Sequence, residues 1–245
     1  MDINNIELKL DVHTHTLASG HAYGTIREMA QAASEKGLEI LGVSEHSEGI
    51  PGTCNHMYFR NLQAIPRQLY GVKIMVGAEI NILNGGRLSM EDSLIERLDY
   101  AIAGIHNQCY KHDTKEANTN AVIAAIKHPK INIISHPDDG EFPLDYEKIV
   151  LAAKEHNTLL EVNNNSFRKG DKKRLNCYAN NREMLYYCKK YKVPVIFSSD
   201  AHDPSEVADM KYVYEQMKEI DFPEELVINT SVEKFLRMIY CTQTV

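Results

Sequence analysis

Short apolar runs alternate with stretches of helical periodicity along the whole chain. The first run ends near Val12, and the others occupy 38–44, 72–78, 100–105, 131–135, 159–162 and 193–199. Each has the length of a buried strand and ends at polar or turn-forming residues. The pattern therefore predicts seven strands.

The intervals between these runs have the spacing of amphipathic helices. Thr25-Ile26-Arg27-Glu28 has the form of a capping box, and apolar residues then follow at three- and four-residue spacing until Gly37. Segment 48–70 is less regular and predicts a loop that leads into a helix. A last strand-like piece, 226–228, precedes a helix capped by Ser231. Further helices are predicted over 92–98, 119–127, 145–156 and 180–191.

Strands that alternate with helices form a mostly parallel sheet, either open or closed into a barrel. The chain has 245 residues, of which 43% are hydrophobic and 25% charged, as in a globular protein with a sizeable core. It contains no Pro-rich linker, low-complexity tract or shift in composition. We therefore expect a single α/β domain over residues 1–245.

Charge and cysteine content narrow the class of protein. A formal net charge of -7 disfavours a general nucleic-acid surface. The first ten residues lack the basic and apolar regions of a signal peptide, and no run is long enough for a membrane span. The five cysteines form no C-x-x-C pair, which disfavours a disulfide framework or a zinc knuckle. We expect a cytoplasmic protein.

Candidate chemistry lies at the ends of the predicted strands. Six of the seven strands end in His, Glu or Asp, and the other ends in Asn. In a parallel α/β sheet these ends share one rim, where the active sites of barrels are built. The candidates at strand ends, with His21 just beyond the first strand, are His13, His15, His21, His46, Glu79, His106, His136, Asp200 and His202.

Each candidate taken singly has an ordinary structural explanation. A histidine after a strand is often a solvated loop residue, and Asp200 could cap a helix. The repetition at nearly every strand end favours a metal centre instead. Seven imidazoles and two carboxylates exceed the four ligands of one zinc ion and suit two or three ions. Nitrogen and oxygen ligands without thiolate favour zinc, iron or manganese over calcium or magnesium.

These residues resemble the PHP (polymerase and histidinol phosphatase) superfamily, and most closely its YcdX-type bacterial phosphatase branch. The resemblance runs from Asp11-Val12-His13-Thr14-His15-Thr16 to Ile228-Asn229-Thr230-Ser231, with intermediate landmarks at 18–23, 77–81, 103–106, 134–137, 161–164 and 198–202. It implies a distorted (β/α)7 barrel that holds three divalent metal ions at its carboxyl rim. Zinc is the expected metal, with manganese and iron as alternatives.

The resemblance also assigns ligands to each ion. The first ion would be held by His13, His15, Glu79 and Asp200. Glu79 would bridge to a second ion, whose other ligands would be His106 and His136. The third ion would be held by His21, His46 and His202. One departure is Glu45, which stands where the family usually has Asp and which puts the support of His46 in doubt.

The expected function is a metal-dependent phosphatase that hydrolyses a small phosphomonoester. A hydroxide that bridges the first two ions would attack phosphorus in line, so no side-chain nucleophile is assigned. Alternatives are a phosphodiesterase or exonuclease on short nucleotides and a metal-binding regulatory module without activity. No membrane and no stable nucleic-acid partner are expected, and a homo-oligomer is left open.

Further side chains on the rim loops could contact substrate or orient ligands, although satisfying the loop backbone explains them equally well. A basic loop, 168–174, has either a substrate-charge role or a solvated one. His56 could contact substrate as part of a lid, whereas His128 and His156, at helix ends, are expected outside the site. The predicted substrate contacts are Asn107, His112, Ser135, Asn163, Asn165 and Arg168.

Overall fold

The computed structural model describes residues 6–240, and within them a parallel sheet forms the centre of the molecule. A short strand, β3 (Gln68–Leu69), pairs antiparallel with the start of the parallel strand β4 (Val72–Asn81). The parallel strands follow in the spatial order β1 (Leu10–Asp11), β2 (Ile40–His46), β4 (Val72–Asn81), β5 (Ile102–Gly104), β6 (Ile133–Ile134), β7 (Leu159–Asn163) and β8 (Val195–Ser198).

The two ends of this sheet approach each other and nearly close it into a barrel. Thr14, just beyond β1, forms a parallel bridge with Ala201, just beyond β8. The Asp11 carboxylate accepts hydrogen bonds from the Ser199 hydroxyl at 2.5 Å and the Ala208 amide at 2.9 Å. The expected (β/α)7 barrel is therefore confirmed.

Helices surround the strands. The capping box at Thr25 is present, because its hydroxyl accepts from the Glu28 amide while the Glu28 carboxylate accepts from the Thr25 amide. No helix among residues 6–240 is long and apolar enough to cross a membrane. The helices are α1 (Ile26–Glu35), α2 (His56–Arg60), α3 (Asp92–Ile95), α4 (Lys115–Ile126), α5 (Tyr146–His156), α6 (Asn164–Lys169), α7 (Cys177–Tyr191), α8 (Lys211–Ile220) and α9 (Val232–Tyr240).

The prediction of a last strand-like piece at 226–228 is wrong. Two 3-10 turns, Glu224–Leu226 and Ile228–Thr230, occupy this segment, and Val227 between them forms a parallel bridge to Val195. No strand forms here because the Asn229 side chain, rather than the backbone of this segment, makes the hydrogen bonds to the neighbouring strands. Its amide group donates to the Leu10 carbonyl at 3.0 Å and the Phe197 carbonyl at 2.8 Å, and so links β1 to β8.

Two hydrophobic layers fill the molecule. The larger lies between the strands and the surrounding helices, and the smaller lies inside the barrel. Tyr100 fills the barrel interior, where its hydroxyl lies so close to Gly42, and its ring so close to Gly77, that neither position has room for a β-carbon. Phe235 and Ile239 of α9 pack against residues at the amino ends of the strands. This end of the barrel is therefore apolar, and polar groups lie at the carboxyl end.

The structure describes four of the five cysteines. Cys54, Cys109, Cys177 and Cys188 are free thiols. Cys241 and the outermost residues of the expected domain, 1–5 and 241–245, lie outside the described residues.

Candidate metal centre

All nine predicted metal ligands lie at the carboxyl end of the barrel, but at different depths. His106 and His202 are partly exposed, and His21 is exposed at the outer edge. The buried members are His13, His15, His46, Glu79, His136 and Asp200.

Glu79 is the centre of this cluster. It lies on β4 directly beside His46, its partner in the register of β2. Burial alone would raise its pKa, but the facing imidazoles, led by that of His13, hold the pKa well below its ordinary value. Its carboxylate oxygens lie 2.8 to 3.5 Å from ring nitrogens of His136, His46, His106, His13 and His15.

Asp200 supplies a second carboxylate from the opposite side. Its Oδ1 lies 3.4 Å from His15 Nε2 and 3.7 Å from His13 Nε2. The side-chain amides of Asn163 and Asn165 donate to Oδ2 at 3.3 and 3.1 Å. Burial raises the pKa of Asp200, but the neighbouring imidazoles outweigh it and hold the pKa well below its usual range, so the carboxylate is ionised.

The nitrogen and oxygen atoms come together in three groups whose members lie within 4.8 Å of one another. His15 and His46 each belong to two groups, so the geometry does not divide the ligands as the family resemblance does. His136 and His21 adjoin these groups through Glu79 and His202. The groups are His13, His15 and Asp200; His46, Glu79 and His106; and His15, His46 and His202.

Whether these residues suit a metal ion depends on which ring nitrogen of each histidine carries hydrogen. The hydrogen bonds of the nitrogen that points away from the cluster, called the outer nitrogen, decide this. His13 Nδ1 lies 2.6 Å from the Glu161 carboxylate and must donate to it. His15 Nδ1 donates to Ser19 Oγ at 3.1 Å, because that hydroxyl already donates to the Glu45 carboxylate. Both Nδ1 atoms thus carry hydrogen, and a neutral ring then has a lone pair on Nε2. The two Nε2 atoms lie only 3.1 Å apart.

Two more histidines repeat this arrangement. His106 Nδ1 donates to Asn81 Oδ1 at 2.8 Å, and His202 Nδ1 donates to the Asp200 carbonyl at 2.9 Å. The Nε2 atom of His202 lies 3.1 Å from that of His21. The buried Nδ1 of His46 faces Glu79 Oε2 at 2.9 Å but without the geometry of a hydrogen bond.

Lone pairs and carboxylates that converge on one region require positive charge between them. Without a bound cation, a proton on the His13 ring would supply part of this charge, as the direction of its pKa shift indicates. Burial lowers this pKa, but the surrounding carboxylates, led by that of Glu161, outweigh burial and raise it well above its ordinary value. The residues therefore fit divalent cations, and hydrogen bonds to the outer nitrogen orient metal-binding histidines in this way.

Comparison with known proteins identifies the family. Residues 11–187 match the model of the PHP domain. The chain belongs to the PHP family. It is 44% identical over 229 residues to a probable phosphatase of Acetivibrio thermocellus, with 92% of each chain covered. It is 40% identical over 233 residues to a probable phosphatase of Caldicellulosiruptor saccharolyticus, covering 95% of this chain and 96% of that one.

A solved structure gives the same fold. Histidinol phosphate phosphatase from Lactococcus lactis, in complex with zinc, L-histidinol and phosphate, superposes with a TM-score of 0.61 at 18% identity. The match covers 88% of this chain and 94% of the other. The expected membership of the PHP superfamily is confirmed by the family model and by the sequence relatives.

Glu45, where the chain departs from the PHP pattern, supports the ring of His15 rather than that of His46. Its buried carboxylate accepts hydrogen bonds from the hydroxyls of Thr16 at 2.5 Å and Ser19 at 2.6 Å. Ser19 in turn accepts from the His15 ring and from the His46 backbone amide. Glu45 thus orients His15 through Ser19, whereas its link to His46 is to the backbone.

Glu161 belongs to the site although sequence reasoning did not single it out. It is fully buried in β7, and its second oxygen accepts from the His136 backbone amide at 2.6 Å. One carboxylate therefore positions residues from two strands. The available signal was the spacing Glu161-Val162-Asn163, because alternate residues of a strand share a face.

The predicted substrate contacts fall into two groups. Ser135, Asn163 and Asn165 are buried and bind other residues of the site; the Ser135 hydroxyl, for example, donates to Glu79 at 2.9 Å. Arg168 binds the Glu206 carboxylate and Asn165 Oδ1. His112 is exposed and lies 3.3 Å from the Glu141 carboxylate.

A cavity of about 460 Å³ opens above the metal centre. Asn107 lines it, as expected, together with Lys169, Lys173 and Arg174 of the basic loop. Arg168, His112, His56, His128 and His156 are not among the described residues that line this cavity.

Proposed function

We propose that this protein is a metal-dependent phosphomonoesterase that acts on small phosphorylated substrates and uses three divalent ions, preferably zinc. The observation that carries the proposal is the convergence of imidazole lone pairs and two ionised carboxylates on the floor of an open cavity. The probable phosphatases among its PHP relatives and the zinc and phosphate bound to the Lactococcus enzyme support it.

The proposed ligands are the nine residues assigned by the family resemblance, with Glu79 shared between two ions. When bound, divalent ions would lower the pKa of water and neutralise charge on the phosphoryl oxygens. The proposed ligands of the first and second ions are His13, His15, Glu79, Asp200, His106 and His136, and those of the third are His21, His46 and His202.

The residues of the chain perform the positioning. Glu161, Ser19 and Asn81 hold ring N–H groups and thereby direct the opposite nitrogens toward the centre. The described residues that line the cavity include no serine, threonine or cysteine, so no hydroxyl or thiol is placed to form a covalent phosphoryl-enzyme. Direct attack by water is consistent with this lining.

The test compares metal content and activity in one preparation. We expect the zinc- or manganese-loaded protein to release phosphate from p-nitrophenyl phosphate faster than it cleaves bis(p-nitrophenyl) phosphate or a short oligonucleotide. Glu79→Gln should lose both metal and activity, with kcat/KM at least about 100-fold lower, because its carboxylate contacts five imidazoles. The exposed Glu96→Gln is the control.

Two results would overturn the proposal. Faster hydrolysis of the diester or the oligonucleotide would identify a phosphodiesterase. A metal-loaded protein that hydrolysed none of these phosphoesters would identify a binding or regulatory module.

A further inference from the structure

One wall of the cavity is basic and comes from a single stretch of chain. Lys169 ends α6, and Lys173 and Arg174 lie in the loop that follows. Gly170 turns the chain between them with φ 62° and ψ -179°, a conformation that residues with a β-carbon rarely adopt. The Lys173 and Arg174 amides both donate to the Gly170 carbonyl at 3.0 Å.

This loop is held against the barrel at its far end as well. The Leu175 carbonyl accepts from the Gly140 amide at 2.8 Å. The ring of Tyr178 stacks on that of Phe167, and its hydroxyl donates to the Phe167 carbonyl at 3.0 Å. The position of the basic wall is therefore set by backbone contacts on both sides.

The cations of this wall outnumber the acidic groups beside it, because Lys169, Lys173 and Arg174 face Asp139 and Glu141. The Asp139 carboxylate lies 3.8 Å from Arg174, and that of Glu141 lies 3.3 Å from His112. Among the described residues, neither lysine ammonium forms a hydrogen bond or ion pair, although the charge of Lys169 is attracted at longer range by the Asp200 and Glu79 carboxylates. The net charge of the wall is thus positive, and Lys173 is its cation without a carboxylate partner.

The cavity is also larger than a single phosphate group requires. Its volume of about 460 Å³ is that of a site for a small organic molecule. Ile50, Pro51 and Ile105 line part of it and provide an apolar surface for a carbon skeleton. A phosphoryl group bound at the metal centre would leave the lysines free to meet another part of the same substrate.

We propose that Lys173, together with Lys169, binds a second anionic group of the substrate, and that the preferred substrates are small phosphomonoesters with a further phosphate or carboxylate. This inference rests on the proposed phosphatase function. Lysine suits this role because its ammonium acts as a point charge that binds a phosphate or a carboxylate.

The test uses substrates of matched carbon length. Glycerol 3-phosphate carries no second anion, 3-phosphoglycerate adds a carboxylate, and propane-1,3-diol bisphosphate provides a second phosphate. We expect wild-type kcat/KM to be at least about tenfold higher for one or both of the doubly anionic compounds. Lys173→Ala should lower that ratio about tenfold, the effect of one lost charge-assisted contact. The two anionic compounds identify which group the wall prefers.

Lys172→Ala is the matched control, because Lys172 is exposed in the same loop but does not line the cavity. Equal kcat/KM for all three substrates, or equal losses for all three in Lys173→Ala, would refute the basic-wall role while p-nitrophenyl phosphate hydrolysis still upheld the phosphatase. The basic-wall role would also be refuted if Lys172→Ala lowered the preference for doubly anionic substrates as much as Lys173→Ala does. The effect would then be one of general surface charge. Failure on every phosphoester would instead refute the phosphatase function itself.

Discussion

At the scale of single residues, the candidate metal centre depends on side chains that hold the proposed ligands in position without being ligands themselves. Glu161 is the clearest case, because one of its oxygens holds the His13 ring and the other holds the backbone amide of His136. These two histidines belong to different proposed ions. A change at Glu161 should therefore affect more than one metal position.

We expect Glu161→Gln to lower zinc affinity about 10- to 100-fold, which is the usual cost of losing the partner of a metal-binding histidine. The amide keeps the size of the side chain but removes the charge that fixes the His13 N–H. Competition with a coloured chelator measures the affinity, and Glu155→Gln, exposed on α5, is the control. If Glu161→Gln bound zinc as tightly as wild type, the positioning role would be wrong.

The sequence could predict side chains at strand ends more readily than those that support them. Glu161 lies within β7 rather than beyond it, so its position gave no such signal. Arg168 and Lys169 are neighbours in the same basic loop, and the sequence alone does not decide which one faces the cavity. That choice follows from α6, whose first turn is capped by the Asn163 side chain through the Ser166 amide.

At the scale of elements, helix α9 closes the amino end of the barrel. Phe235 is fully buried in the interior cluster, where its ring centroid lies 6.5 Å from that of Tyr100. The helix is far along the barrel axis from the metal ligands. Its contribution should therefore be to stability rather than to catalysis.

We expect Phe235→Ala to lower the free energy of unfolding by about 3–5 kcal/mol, as for other large core aromatics. Urea denaturation measures this change. Tyr240→Ala, an aromatic truncation at an exposed site on the same helix, should cost much less. The folded fraction of Phe235→Ala should keep its zinc affinity. A loss of affinity comparable to that in Glu161→Gln would contradict the conclusion that the amino end of the barrel contributes to stability and not to the metal centre.

Local signals predicted those elements whose contacts are local. The capping box at Thr25 is an example, because both of its partners lie within four residues. Helix α8 is not among the elements predicted from the sequence, and it begins without a side-chain cap of its own. Its first amides, at Tyr212 and Val213, instead donate to Asn164 Oδ1 of helix α6, a contact that no local pattern reveals.

At the scale of the whole molecule, the proposed metal ions would tie together strands from both ends of the sheet. His13 and His15 follow β1, and Asp200 and His202 follow β8. Each ion that binds the folded state at 100 times its Kd adds about 2.7 kcal/mol of stability. For a protein of this size, each kcal/mol shifts Tm by about 2–4 °C.

We therefore expect removal of the metal by a chelator to abolish activity and to lower Tm by about 10 °C or more. Addition of zinc should restore both, and the Tm should rise with zinc concentration. Differential scanning calorimetry with metal analysis of each sample provides the measurement. An unchanged Tm in demonstrably metal-free protein would contradict the proposed coupling between the centre and the fold.

The bridge between Thr14 and Ala201 also has a consequence for synthesis on the ribosome. The partners of this bridge are separated by most of the chain, so the first strand must wait until the eighth has been translated before the barrel can close. Until then a nascent chain can present His13 and His15 but not Asp200 or His202. The proposed sites for the first and third ions, which need Asp200 and His202, would therefore be completed only after nearly all of the barrel has been translated, whereas Glu79, His106 and His136 of the second site are translated earlier.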